Sequence, residues 1–396
     1  MMDELDLGFE EYPERGRHRH RRSAQRPPKK KKRRGRSFVA LFLTLLLLGG
    51  LAGGVWYGWE RLQGFFNAPD FNSAGVGEVT VQVKKGDTAT DIANTLVTKG
   101  VVKSARAFVE AADANPRSKN IQPGFYKLRQ QMRARDAVTM LLDLKNKIVT
   151  KVTIPEGRSA KQTYDILAKA TNIPAAEFAK LAKDPVKLGV PELWFKRSDN
   201  KPVAKSIEGF LYPQTYEFDP GATAEDMLRT MVNQFVQVAE EIGFMDKVAA
   251  LNITPYDALI VASLAQAEAG VPEDIGKIAR VAYNRLYKSF DCKCLQMDVT
   301  VNYWLELNGK PTKTSGQMTE SDLHNPNNPW NTHDKQGLPP SPINNPGKVA
   351  LEGAMDPPAG GWYYFVAIDK QGHSAFAVTL AEHERNLQTA RRNGVL

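Results

Sequence analysis

Residues 255–270 read Pro255-Tyr-Asp-Ala-Leu-Ile-Val-Ala-Ser-Leu-Ala-Gln-Ala-Glu-Ala-Gly270. Thr254 in front of them suits an N-cap, and Pro255 suits the first helical position, where a missing N–H costs nothing. Gly270 suits the residue just past a helix end, so the pattern predicts a helix over Pro255–Ala269 closed by Gly270. From Ala258 to Ala267 nearly every side chain is apolar. A helix that is apolar all round should be buried at the centre of a domain. Val261, Leu264 and Glu268 fall at i, i+3 and i+7, which puts one carboxylate on a core-facing stripe. Burial and the negative helix end both disfavour its ionised form, and a raised pKa is what a general acid needs near neutrality. From the pattern alone, a solvated glutamate that merely starts the turn is the other reading.

Outward from this helix the chain mixes helices and strands in an α+β manner. Val79, Val81 and Val83 alternate ahead of Gly86-Asp87, which predicts a strand and a turn. Ala89, Ile92, Ala93 and Leu96 recur at helical spacing, and Ser104 is placed to cap a second helix. A short strand follows at Gly124–Leu128. This βααβ unit, opened by Val-Lys-Lys-Gly-Asp-Thr, resembles the LysM module, and the resemblance implies binding to N-acetylglucosamine polymers. Packing against the next domain is the alternative. Residues 133–146 read as an amphipathic helix, 147–157 as a strand ending in a turn, and 159–171 as a helix. Residues 324–347, dense in Asn and Pro, read as a long loop of the kind that lines a cleft. Trp362–Ala367 reads as a buried strand beside Ala375–Val378, ahead of a terminal helix opened by Glu382.

The charge is unevenly placed. Over 396 residues, 53 Lys+Arg against 44 Asp+Glu give +9. Residues 1–36 hold 13 Lys/Arg against six Asp/Glu, so +7 of that charge sits in a tail and +2 on the rest. A nucleic-acid binder should carry its basic patch on the folded domain, so nucleic acid is not an expected partner. Phe38–Trp59 follows without a charged side chain, roughly 33 Å of helix and enough to cross a bilayer core. A cleavable signal peptide is the rival reading. The apolar run is too long for one, and Trp56, Tyr57 and Trp59 at its end read as an interfacial aromatic belt. The expected organisation is a disordered basic cytoplasmic tail (1–36), a single transmembrane helix (37–59) and a stalk (60–77). The LysM-like unit with a connecting helix (78–150) and a catalytic α+β domain (151–396) follow. The positive-inside rule places the N-terminus in the cytoplasm and the rest outside the cell membrane.

Four ordered segments carry the chemistry: Ser206-Ile-Glu-Gly-Phe-Leu-Tyr-Pro-Gln-Thr-Tyr-Glu-Phe218; Ala262–Gly270 running on to Asn284-Arg285-Leu286; Leu295-Gln-Met-Asp-Val-Thr-Val-Asn-Tyr303; and Gly337-Leu-Pro-Pro-Ser-Pro-Ile-Asn-Asn-Pro-Gly347. In this order and spacing they resemble the YceG-like family of endolytic murein transglycosylases. The resemblance implies a membrane-anchored lyase that cuts nascent peptidoglycan strands, with membrane glycan polymerases and penicillin-binding proteins as partners and no cofactor. It assigns the catalytic role to Glu268. It places Glu208, Tyr212, Gln296, Asp298, Asn302 and Tyr303 at the cleft as substrate-binding candidates, with Glu208 and Asp298 alternatively orienting Glu268.

Three positions depart from the family pattern. Gln266 stands where relatives carry a first glutamate, Gln214 where many carry aspartate, and Trp330-Asn-Thr-His333 where relatives tend to show Tyr-Asn-Thr-Tyr. A lytic transglycosylase needs one carboxylate, whereas a hydrolytic muramidase needs two, for which Glu208, Glu273 and Asp298 are the candidates. Glu273 and Asp274, just after Pro272, read most simply as the start of a helix. A glycan-binding scaffold without catalysis is the remaining reading. No nucleophile elbow, zinc-protease motif or Walker loop occurs, and the histidines are too scattered for a metal site. Cys292-Lys-Cys294, free or disulfide-linked, is expected to serve local structure.

Overall fold

The computed structural model describes residues 36–66, 68–203 and 205–396, with side chains described over residues 41–59, 68–203 and 205–396. The basic tail expected over 1–36 thus lies outside the described residues except at Arg36. The chain divides into two compact units, residues 1–68 and 69–396. In the first, α1 (Arg36–Phe66) carries an apolar, exposed stretch over Leu41–Trp59 that is long and apolar enough to span a membrane. It continues past Trp59 because no proline interrupts Glu60–Phe66, so the first part of the expected stalk is helical.

The second unit opens with β1 (Ala74–Val83), α2 (Ala89–Thr98), α3 (Ala105–Asp113) and β2 (Gly124–Met132). Thr88 and Asp91 form a reciprocal capping box on α2, and Ser104 accepts from the Ala107 N–H to cap α3. β1 and β2 pair antiparallel with Val81 opposite Tyr126, and Val81, Leu96, Phe108 and Leu128 close a small core. After α4 (Ala134–Leu142), β3 (Lys147–Ile148) adds to β2.

The single strand expected over 147–157 is two. β3 belongs to the first sheet, whereas β4 (Thr150–Thr153) pairs antiparallel with β5 (Thr215–Phe218). Neighbouring residues take partners in different sheets, so the chain must break its ladder at Val149.

α5 (Ala160–Thr171), capped by Ser159, and α6 (Ala175–Leu181) lie between β4 and β5. Then follow α7 (Ala224–Glu241), α8 (Phe244–Ala250), α9 (Pro255–Glu268), α10 (Pro272–Tyr287), α11 (Val299–Leu307), α12 (Glu320–Leu323), α13 (Lys348–Met355), the hairpin β6 (Tyr364–Ala367) and β7 (Ser374–Ala377), and α14 (Leu380–Arg392). α9 is the axis of the core. Every residue from Tyr256 to Ala265 is buried, and α8, α10, α11 and α13 pack around it. Trp194, Phe210, Phe235 and Phe244 fill the adjoining space, with Trp194 5.0 Å from Phe235 and 5.5 Å from Phe244.

Two local expectations change. α9 ends at Glu268 with Ala269 extended, and Gly270 is not left-handed. Glycine is needed there because a Cβ at 270 would stand 2.5 Å from the Gly372 carbonyl oxygen, in the turn between β6 and β7. The strand expected to be buried at 362–367 is half-buried, because a two-stranded hairpin has only α10 and α14 to cover it.

Candidate active site

Glu268 is the last residue of α9, and its position follows from the sequence: an N-cap at Thr254 fixes the start, and an apolar body sinks the helix into the core. The side chain is half-buried, its Oε1 fully so, and among the described residues no donor bonds that oxygen. Burial first, and the Asp298 charge second, push the Glu268 carboxyl up to about 7. Two features act in the other direction. The Val299 N–H at the start of α11 and the Arg285 guanidinium both favour the ionised form.

Arg285, on α10, is itself buried, and burial lowers it to about 10. Its guanidinium donates to the carbonyls of Tyr363 (2.7 Å) and Leu295 and lies 5.2 Å from the Phe290 ring centre. It therefore joins the hairpin, α10 and the segment carrying Asp298. That segment is held from its other side as well. The Gln296 N–H donates to the Thr332 carbonyl at 2.8 Å, and the Met297 N–H to Thr332 Oγ1 at 3.0 Å. These bonds bring His333 Nε2 to 3.2 Å from Asp298 Oδ1. His333, then Ser315, hold the Asp298 carboxyl below its ordinary value. Cys292 and Cys294 are disulfide-linked, and the Lys293 carbonyl between them accepts from the Gly337 N–H at 3.0 Å.

A cleft of about 130 Å³ opens beside the acid, walled by Ala267, Val299, Asn302, Tyr303, Glu306 and Asn344 among others. Val299, Asn302, Tyr303 and Glu306 are one face of α11. Glu306 accepts from Ser159 Oγ and from Gln162 Nε2 (3.1 Å). Larger cavities elsewhere on the surface are not near this carboxylate.

The sequence candidates fall into different settings. Asp298 lies beside Glu268, and Tyr303 lines the cleft. Glu208 lies beneath it: 3 % exposed, it accepts from the Ala160 N–H (2.8 Å) and Tyr303 Oη (2.9 Å). Both its oxygens are thus engaged inside the fold, and burial pushes the carboxyl up to about 8. The Asn302 amide donates to the Lys313 carbonyl (2.9 Å) and accepts from the Lys313 N–H (2.8 Å), which fixes its orientation in the cleft wall and leaves one amide hydrogen and one lone pair of its oxygen over. Tyr212 is half-buried just ahead of β5, its carbonyl accepting from Tyr216 Oη at 2.6 Å. Gln296 is exposed, with φ of 50°. Gln266 accepts from the Gly347 N–H at 2.9 Å through its neutral amide.

Several residues that build the site were not singled out from sequence. Arg285 was quoted only as part of a motif, and Glu306 lies one helical turn beyond the last residue quoted in its segment. Asn345 is fully buried and ties three segments together. Its Oδ1 accepts from the Gly209 (3.0 Å) and Leu211 (2.9 Å) N–H groups, and its Nδ2 donates to the Arg158 carbonyl (2.9 Å).

Comparison with known proteins places this geometry in a family. The chain is 29 % identical to an endolytic murein transglycosylase of Bacillus subtilis, covering 78 % of this chain and 83 % of the relative. It is 25 % identical to an endolytic murein transglycosylase of Streptococcus pneumoniae, of which it spans 65 %. The crystal structure of a YceG-like protein from Listeria monocytogenes superposes with a TM-score of 0.51 at 29 % identity, covering 78 % of this chain and 99 % of that one. The sequence model of the YceG-like family matches residues 81–389, most of the chain and all of the site just described. The chain therefore belongs to the YceG-like family.

Proposed function

We propose that this chain is an endolytic murein transglycosylase that cleaves the MurNAc–GlcNAc bond of nascent glycan strands and leaves 1,6-anhydro-MurNAc ends. The observation that carries the reading is Glu268, a single carboxylate poised near 7 with an unpartnered buried oxygen beside a cleft. Protonated, it gives its proton to the glycosidic oxygen as the C1–O bond breaks. Ionised, it takes the proton of the C6 hydroxyl, whose oxygen forms the new bond to C1. Burial and Asp298 favour the first state; Arg285 and the Val299 N–H favour the second. One group can therefore serve both steps, and no water is consumed.

In this reading α1 anchors the chain with its N-terminus in the cytoplasm and residues 69–396 outside. The strand–helix–helix–strand unit at 74–132 serves as a LysM-like contact to glycan. The partners are membrane glycan polymerases and penicillin-binding proteins. The test is product analysis on uncrosslinked strands: mass spectrometry should find termini about 18 Da below the reducing-end sugar, because the C6 hydroxyl replaces water as nucleophile. Reducing ends would instead assign a hydrolytic muramidase with Asp298 as its second carboxylate.

The Asp298 charge carries a further prediction. Asp298→Asn removes a negative neighbour, so the Glu268 pKa should fall and the alkaline limb of kcat/KM should move to lower pH. A limb that stays in place would show that Asp298 does not act on the acid.

A further inference from the structure

Asn344 is 3 % exposed and borders the cleft. Its Nδ2 donates to the Ser263 carbonyl at 2.8 Å, which fixes the amide's orientation because a carbonyl can only accept. Oδ1 is left as an acceptor. It is buried, and among the described residues no donor reaches it. The polar groups around it are bonded to one another: Asn302 to Lys313, and Ser159 and Gln162 to Glu306. A buried acceptor without a partner is unfavourable unless a ligand supplies the donor. Because Oδ1 is closed to bulk solvent, that donor must sit on a group small enough to enter the cleft. The neighbouring walls at Ile343, Val299 and Ala267 are apolar.

A volume of about 130 Å³ is enough to take an acetamido group. Ala267 and Val299 adjoin Glu268 and Asp298 in sequence, so the cleft stands next to the acid. In an N-acetylated sugar the acetamido carbon C2 is bonded to C1, the atom at which the glycosidic bond breaks. We infer that this cleft receives the C2 acetamido group of the muramic acid whose C1 is attacked, the amide N–H donating to Asn344 Oδ1 and the methyl lying against Ile343 and Val299. The inference rests on the transglycosylase reading and adds to it a specificity-determining residue, Asn344.

The decisive experiment varies the substrate against the unaltered enzyme. Native strands, strands de-N-acetylated at muramic acid, and strands N-propionylated there are compared by kcat/KM, with anhydro ends as the readout. De-N-acetylated strands should lose at least about tenfold, mostly in KM, because the cleft's acceptor then goes unpaired or must desolvate an ammonium. Propionylated strands keep the donating N–H and should lose less than de-N-acetylated ones. Asn344→Leu should lose as much on native strands and little more on de-N-acetylated ones. Equal kcat/KM on all three strands with anhydro ends retained would overturn the acetamido assignment alone, as would losses from Asn344→Leu and de-N-acetylation that multiply. Absence of anhydro ends from native strands would overturn the reaction itself and the assignment with it.

Discussion

Glu268→Gln should abolish glycan cleavage, by at least about 10³-fold, while making the folded domain more stable above neutral pH. The first effect follows because glutamine keeps the shape but holds no transferable proton, and proton transfer by a positioned group contributes roughly 10²–10⁴-fold to a single step. In the proposed mechanism the same group serves two steps. The second effect is a matter of sign. Folding raises the Glu268 pKa from its ordinary 4.5 to about 7. The folded state therefore binds the proton more tightly than the unfolded one. Wild-type stability should fall as pH rises from about 4.5 to about 7 and stay lower beyond that, by something on the order of 2 kcal/mol. Glutamine carries no such penalty, so melting curves of the two proteins should agree near pH 4 and separate at pH 8. A variant that is inactive but equally pH-sensitive would show that some other group titrates. A variant that retains full activity would remove Glu268 from the mechanism.

Asn345→Ala should have the largest effect on stability of any single change near the site. The amide accepts from two buried backbone N–H groups and donates to the part-buried Arg158 carbonyl, which also accepts from the Asn345 backbone N–H. Truncation strands the two N–H groups, and each buried group left unpaired costs about 1–3 kcal/mol. A loss of about 2 kcal/mol or more is expected, measurable as a shift in urea midpoint with an unchanged slope. Gly209, one of the donors, stands at φ of 93° with the Pro342 ring where a Cβ would go, so this junction cannot shift to recover the bonds. A loss below about 1 kcal/mol would mean that water enters and satisfies the groups.

The central helix was legible because every signal agreed. A cap at Thr254, Pro255 at the first position and an unbroken apolar body all describe the observed α9. Its last residue was legible only as a carboxylate on the buried stripe; what surrounds it comes from loops. Asp298, Arg285 and His333 meet through bonds to backbone atoms of Thr332, Leu295 and Tyr363, and backbone atoms leave no trace in residue identity. Glu208 was legible as a motif glutamate near the cleft, whereas its bonds from the Ala160 N–H at the start of α5 and from the Tyr303 hydroxyl were not, because they depend on segments distant in the chain. The split of 147–157 into β3 and β4 was hidden for another reason: both pieces have strand character, and only the partners differ. Glu306 was within reach of periodicity, since 299, 302, 303 and 306 share a face of α11.

The contact between Gly270 and Gly372 also bears on when the chain can become active during its own synthesis. The residue carrying the acid is followed directly by a backbone that rests on the β6–β7 turn, about 100 residues later in the chain. At roughly 5–20 residues per second a ribosome needs on the order of 5–20 s to make that interval. Throughout it, Glu268 exists without the hairpin that closes its helix end, and Arg285 without the Tyr363 carbonyl that holds it. In the proposed topology and mechanism, a half-made chain emerging beside unfinished glycan carries the acid but not yet a working site, and order of synthesis becomes a safeguard against premature cutting.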